Sequence, residues 1–110
     1  MRKVQIYAVD FDNTLARTRY PEIIAPKSEM VEFVKRLQER GDRWILWTMR
    51  EGDDLDSALE WLKEQGLAPD AVNDNLPYVV ESLGHNPRKV FANVYIDDRN
   101  AGGLVLPVEE

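Results

Sequence analysis

Cysteine is absent from these 110 residues, and histidine occurs once, at His85. Without cysteine there is no disulfide framework, zinc–thiolate centre or thiol nucleophile. His85 lies between Gly84 and Asn86 and reads as a loop residue rather than a base. No window approaches the length of a membrane span, and Met1-Arg2-Lys3 runs into a strand-like segment without an apolar leader. The expectation is a soluble, cytoplasmic protein. Basic residues are scarce: 14 Lys and Arg face 20 Asp and Glu, for a net charge of −6. That balance disfavours a nucleic-acid backbone as partner. Internal repeats and low-complexity segments are missing as well. Apolar content is not short, at 44%. A chain of this size buries a core without staples, as one domain over 1–110.

The stretch Val9-Asp10-Phe11-Asp12-Asn13-Thr14-Leu15 stands out. It follows Val4-Gln5-Ile6-Tyr7-Ala8-Val9, a short, mostly apolar and β-rich run of the kind that forms a buried strand. In a strand, residues i and i+2 point the same way, so Asp10 and Asp12 face one site if that geometry persists. If the chain turns after Asp10, the Asp12 carbonyl also comes within reach of a metal. Asn13 and Thr14 add turn chemistry and a hydroxyl. Taken alone, Asp-x-Asp after a strand reads equally as a helix cap or solvated loop.

Residues 15–25 read as a loop punctuated by Pro21, with Pro26 just beyond. Arg17, Arg19 and Lys27 are solvated loop charges that can also meet an anionic substrate. From about 26 to 40 the spacing of Met30, Val31, Val34 and Leu37 predicts a helix closed by Gly41. Residues 44–48 read as a second buried strand. A helix over about 54–65 follows, capped by Asp53 or Asp54 and closed by Gly66. Residues 70–73 suggest a short strand, and Pro77 opens a brief helix ended by Gly84. Asn86-Pro87 predicts a further helix start, with Arg88 and Lys89 in its first turn. Residues 93–96 form a fourth strand before Asp97-Asp98, and 104–106 a last edge strand. Alternating strands and helices imply an α/β fold: a three-layer, Rossmann-like sandwich around a mostly parallel sheet with right-handed crossovers.

Sites in such sheets form outside the carboxyl ends of the strands. That rule gathers Asp10, Asp12, Thr48, Asp97 and Asp98 on one edge. Four carboxylates there cannot all be charged and unpaired: either some protonate, or a cation sits among them. Oxygen-only ligands favour a hard cation, and Mg²⁺ commonly bridges carboxylates and a phosphate. Thr48 and Lys89, with Asn13 and Arg50, are the candidate phosphate contacts. Arg88 is the runner-up to Lys89, and Arg50 reads equally as a substrate clamp or a counter-charge to Asp53 and Asp54. Carboxylate nucleophile, carboxylate acid/base, metal and donors together make a phosphoryl-transfer site.

In this order, Asp10-Phe11-Asp12-Asn13-Thr14-Leu15, Thr48, a lysine and Ile96-Asp97-Asp98 resemble the four motifs of the haloacid dehalogenase-like (HAD) superfamily. Leu46-Trp47-Thr48-Met49-Arg50-Glu51-Gly52 and Tyr95-Ile96-Asp97-Asp98-Arg99-Asn100 further resemble a group of small bacterial HAD hydrolases. The resemblance implies a Mg²⁺-dependent phosphohydrolase working through an aspartyl-phosphate. Asp10 would be the nucleophile, and Asp12 the acid and then the base, with a partly raised pKa. Thr48 and Lys89 would hold phosphate oxygens. Asp10, the Asp12 carbonyl and Asp97 or Asp98, with Asp98 favoured, would hold the metal. The intervals where relatives carry a cap domain are only loop-sized, so the site is expected to be open. It would take a phosphorylated macromolecule, or a small phosphorylated molecule roofed by a neighbouring subunit in a homo-oligomer. The alternative is a phosphate-binding, signalling or assembly domain on the same fold, without turnover. A response-regulator receiver is disfavoured, because its acidic pair comes first in the chain.

Overall fold

Strand β1 (Ile6–Val9) is buried along its whole length. Its alternate side chains serve two cores: Tyr7 and Val9 face one, Ile6 and Ala8 the other. A strand buried on both faces belongs at the centre of a sheet covered by helices. In the computed structural model, which describes residues 2–109, β1 pairs in parallel with β4 (Arg43–Leu46) on one side and β6 (Val94–Ile96) on the other. Strand β5 (Ala71–Val72) extends the sheet beyond β4, giving the order β5-β4-β1-β6. The expected Rossmann-like α/β sandwich with a parallel central sheet is therefore the fold.

Helices α1 (Ser28–Glu39) and α2 (Gly52–Glu64) cover one face. Met30, Val31, Phe33, Val34 and Leu37 from α1, with Ala58 and Leu62 from α2, pack against Tyr7, Val9, Trp44 and Leu46. The other face carries α3 (Pro77–Leu83), which contributes Val79 beside Leu76, Val90 and Ala92 over Ile6, Ala8 and Ile45. Asp53 and Asp54 lie inside the first turn of α2 rather than capping it, where negative charge suits the positive end of the helix. Among the described residues no helix is long and apolar enough to cross a membrane.

The topology fixes where a site can form. From β1 the chain moves outward to β4 and β5, then returns to the opposite side of β1 at β6. The direction of winding thus reverses at β1, and the crevice outside its carboxyl end is the switch point where α/β sheets bind ligands.

Three segments differ from the sequence expectations. Residues 15–25 are not a plain loop: β2 (Ala16–Arg19) and β3 (Glu22–Pro26) form an antiparallel hairpin, and Pro26 ends β3 instead of opening α1. The Asn86-Pro87 segment does not become a helix, because its backbone is held by a side chain from elsewhere. Buried Asn75 donates to Asn86 Oδ1 at 2.8 Å and to the Pro87 carbonyl at 3.0 Å, and accepts from the Phe91 amide at 2.7 Å. Residues 104–106 are not a strand; Leu104 packs beside the α1 core.

At the sheet's amino end, Asp42 ties three segments together. Its carboxylate, fully shielded from solvent, accepts from Arg2, Arg40 and the Gln5 amide, while Arg40 also reaches Glu109 at 2.8 Å. Burial opposes ionisation of Asp42, but these donors outweigh it and lower the pKa to about 2. The folded pKa lies below the unfolded value, so the stabilisation is complete above the ordinary carboxylate pKa and drains away as pH falls toward 2. With solvent screening at the half-exposed Arg2 allowed for, it amounts to about 1–2 kcal/mol. Urea unfolding of wild type and Asp42→Asn should differ by that amount near neutrality and converge as pH approaches 2. A gap that persists unchanged into acid would contradict this account.

Candidate active site

The turn that follows β1 is built around the Phe11 carbonyl, which accepts the amides of Thr14, Leu15 and Ala16 at 3.2, 3.0 and 3.2 Å. Phe11 and Leu15 are fully buried and anchor the turn, with Phe11 set edge-on to Trp61. Asn13 takes a left-handed φ of 60°, and its Oδ1 accepts the Thr18 amide at 3.1 Å. The side chain expected to contact phosphate is therefore committed to shaping the turn, its carbonyl oxygen spent on the hairpin.

With the turn pinned, Asp10 points into the crevice. Carboxylate oxygens of Asp10, Asp97 and Asp98 lie within 4.8 Å of one another. Strand β6 delivers the acidic pair: the Asp10 amide donates to the Ile96 carbonyl at 2.9 Å, locking the two strand ends in register. Between them sits Thr14, fully buried, which composition and spacing marked only as a hydroxyl near the motif. Its Oγ1 donates to Asp10 Oδ2 at 3.2 Å, lies 3.5 Å from Asp98 Oδ1, and accepts the Asp98 amide at 3.1 Å. Burial, then the charge of Asp97, then the hydrogen bond shared with Asp98 push the Asp10 pKa up to about 7. This is what like charges in a partly desolvated crevice produce when no cation is present.

Across the crevice, a hollow of about 250 Å³ is lined by Asp10, Asp97, Trp47, Thr48 and Met49. Thr48 is thus brought beside Asp10, as its place after β4 predicts. Asn73, which drew no notice in the sequence, holds it there: its side chain accepts the Thr48 amide and donates to the Thr48 carbonyl, both at 2.8 Å. An asparagine at φ 51° just past a two-residue strand was the available signal. Met49 stands 98% exposed at the mouth.

The candidate cations fall out differently. Lys89 is exposed on an irregular segment, its ammonium 5.3 Å from the centre of the Tyr95 ring, and the helical turn that was to present it is absent. Arg88 lines a neighbouring hollow of about 440 Å³ that shares Trp47 and Thr48 with the first. Arg50 cannot clamp a substrate: its guanidinium is wholly buried and forks onto Asp12, with Nε 2.9 Å from Oδ2 and Nη2 2.8 Å from Oδ1. Thr18 Oγ1 adds a third hydrogen bond to Asp12, at 2.8 Å. Burial alone would raise the Asp12 pKa, yet the hydrogen bonds from Arg50 and Thr18 overcome it and lower the value. The partly raised pKa expected of Asp12 is therefore corrected. Asp10 and Asp12, two residues apart, are driven in opposite directions.

Replacing Thr14 by valine keeps the volume but strips the Asp98 amide of its acceptor in a buried setting. The expected loss is about 1–3 kcal/mol in urea unfolding, with Thr14→Ser retaining most of the stability. Equal stability of the valine and serine variants would show that the hydroxyl bridge carries no weight.

No family model matches this chain, and no curated protein does. Among solved structures, a conserved protein from Bacteroides thetaiotaomicron matches with 43% sequence identity and a TM-score of 0.81. The match covers 94% of this chain and 83% of that one.

Proposed function

The chain belongs to the family of that conserved Bacteroides thetaiotaomicron protein, and from this premise we propose that it is a HAD-like, Mg²⁺-dependent phosphomonoester hydrolase acting through an aspartyl-phosphate. The observation that carries the reading is the cluster of Asp10, Asp97 and Asp98 at the switch point of the sheet, with Thr48 facing Asp10 across one hollow. In the proposed reaction an Asp10 oxygen attacks phosphorus as the bond to the ester oxygen breaks, and Asp12 gives that oxygen its proton. Asp12 then takes a proton from the water whose oxygen attacks phosphorus, releasing inorganic phosphate and freeing Asp10.

The donor set fits a hard cation. All the candidate ligands are oxygens, and the raised proton affinity of Asp10 marks uncompensated negative charge. Asp10 and Asp98, with Asp97 and the Asp12 carbonyl nearby in the chain, would hold Mg²⁺. When bound, Mg²⁺ would neutralise charge on the transferring phosphoryl group. Thr48 would donate to a phosphate oxygen, and Lys89 or Arg88 would supply the positive charge. The crevice carries no cap domain among the described residues. It would suit a phosphorylated macromolecule, or a small phosphorylated metabolite enclosed by a second subunit. A cytoplasmic setting belongs to the same proposal. A second reading, phosphate binding without turnover, gains support from the engagement of both Asp12 oxygens by Arg50. Sustained phosphate release separates the two.

Asp10→Asn should lower turnover of a phosphomonoester more than about 100-fold, roughly 3 kcal/mol in the barrier. Activity within a few-fold of wild type would sink the assignment. Saturating Mg²⁺ should also stabilise the wild-type fold by on the order of 1–3 kcal/mol in thermal unfolding, and Asp98→Ala should lose most of that response. The same Mg²⁺ shift in both proteins would place the cation elsewhere.

A further inference from the structure

Arg50 starts two residues past Thr48, at the crevice mouth, yet its side chain is completely buried. Enclosing a guanidinium is costly unless its donors and charge are matched. Here the matching is entirely internal. Besides the fork onto Asp12, Nη2 donates to the Pro21 carbonyl at 3.0 Å and Nη1 to the Asp54 carbonyl at 3.1 Å. The guanidinium also lies against two aromatic rings, 4.9 Å from the centre of Phe11 and 5.1 Å from that of Tyr20.

These partners come from three places. Phe11 and Asp12 belong to the turn after β1, Tyr20 and Pro21 join β2 to β3, and Asp54 lies in the first turn of α2. The hairpin is tied in twice more: Thr18 Oγ1 donates to Asp12 Oδ1, and the Tyr20 hydroxyl donates to Asp54 Oδ2, each at 2.8 Å. No ligand in the crevice can reach Arg50, so whatever it contributes to the site passes through Asp12.

We infer that Arg50 is a positioning residue that fastens the Asp12 carboxylate to the tip of the β2–β3 hairpin, so that hairpin and acid keep one position together. The inference rests on the reading of Asp12 as the acid that serves the leaving oxygen. A planar fork can fix both carboxylate oxygens and still reach the Pro21 carbonyl, which a lysine ammonium cannot do.

Two variants test it. Arg50→Lys keeps the charge and loses the fork; Tyr20→Ala removes one ring from an exposed position. Both are assayed with Mg²⁺ on an alkyl phosphate, whose leaving oxygen needs a proton, and on dinitrophenyl phosphate, whose leaving group departs without one. In Arg50→Lys, kcat on the alkyl ester should fall by about tenfold or more. On dinitrophenyl phosphate it should fall by about twofold at most, with KM steady for both. Tyr20→Ala should shift in the same direction, less far. Trypsin should cut after the exposed Arg17 and Arg19 several-fold faster in both variants than in wild type. Equal losses on the two esters, or no loss, would overturn the positioning role, and unchanged proteolysis would overturn the link to the hairpin. Wild-type protein that hydrolyses neither ester would instead fell the phosphatase reading and the kinetic half of this inference, while proteolysis still decides the mechanical half.

Discussion

Carboxylates of three aspartates lie within 4.8 Å of one another in a partly desolvated crevice, and the rest of the site is arranged around that repulsion. Without compensation at least one must take up a proton, and the pKa of Asp10, raised to about 7, is the direct expression of this. Strands β1 and β6 are bonded in register right up to Asp10, so the cluster cannot relax by the strands parting. Thr14 bridges Asp10 and Asp98 with one hydroxyl, which lowers the cost but leaves the charge in place. An oxygen-lined cluster held together against its own repulsion is an arrangement that a hard cation would complete.

The second acid is handled by the opposite strategy. Asp12 receives a full positive partner, and that partner, Arg50, is enclosed by the hairpin, the turn after β1 and the start of α2. One carboxylate is left electrostatically hungry and the other is saturated, although only Phe11 separates them. The turn after β1 makes this possible. Three amides converging on the Phe11 carbonyl swing the chain sharply, so Asp12 leaves the strand geometry that would have aimed it alongside Asp10.

The parallel sheet and its main helices were legible because their signal is local. β1 and β4 are apolar runs, and the spacing of Met30, Val31, Val34 and Leu37 marks α1 directly. The carboxyl-end rule then placed Asp10, Thr48, Asp97 and Asp98 at one edge, and Asp10, Thr48 and Asp97 do line one hollow. What escaped depends on distant partners. The hairpin buries one side of Ala16-Arg17-Thr18-Arg19 only thinly, so polar residues and Pro21 mask its alternation. The helix expected at Asn86-Pro87 yields to Asn75, whose side chain captures that backbone from eleven residues away. The partner of Asp12 lies 38 residues along the chain, and no spacing rule connects them. The motif thus identified which groups stand at the site, while their protonation and orientation were set by contacts invisible to it.

The central claim is that Asp10 is a nucleophile and not merely one acid in a charged crevice. Its most direct test is to quench the protein in acid during turnover of a phosphomonoester with Mg²⁺ and to map covalent phosphate by mass spectrometry. The account predicts a phosphoryl group on the peptide carrying Asp10, formed and lost on the time scale of turnover and absent from Asp10→Asn. Rapid phosphate release with no adduct on that peptide, or an adduct on another residue, would contradict it.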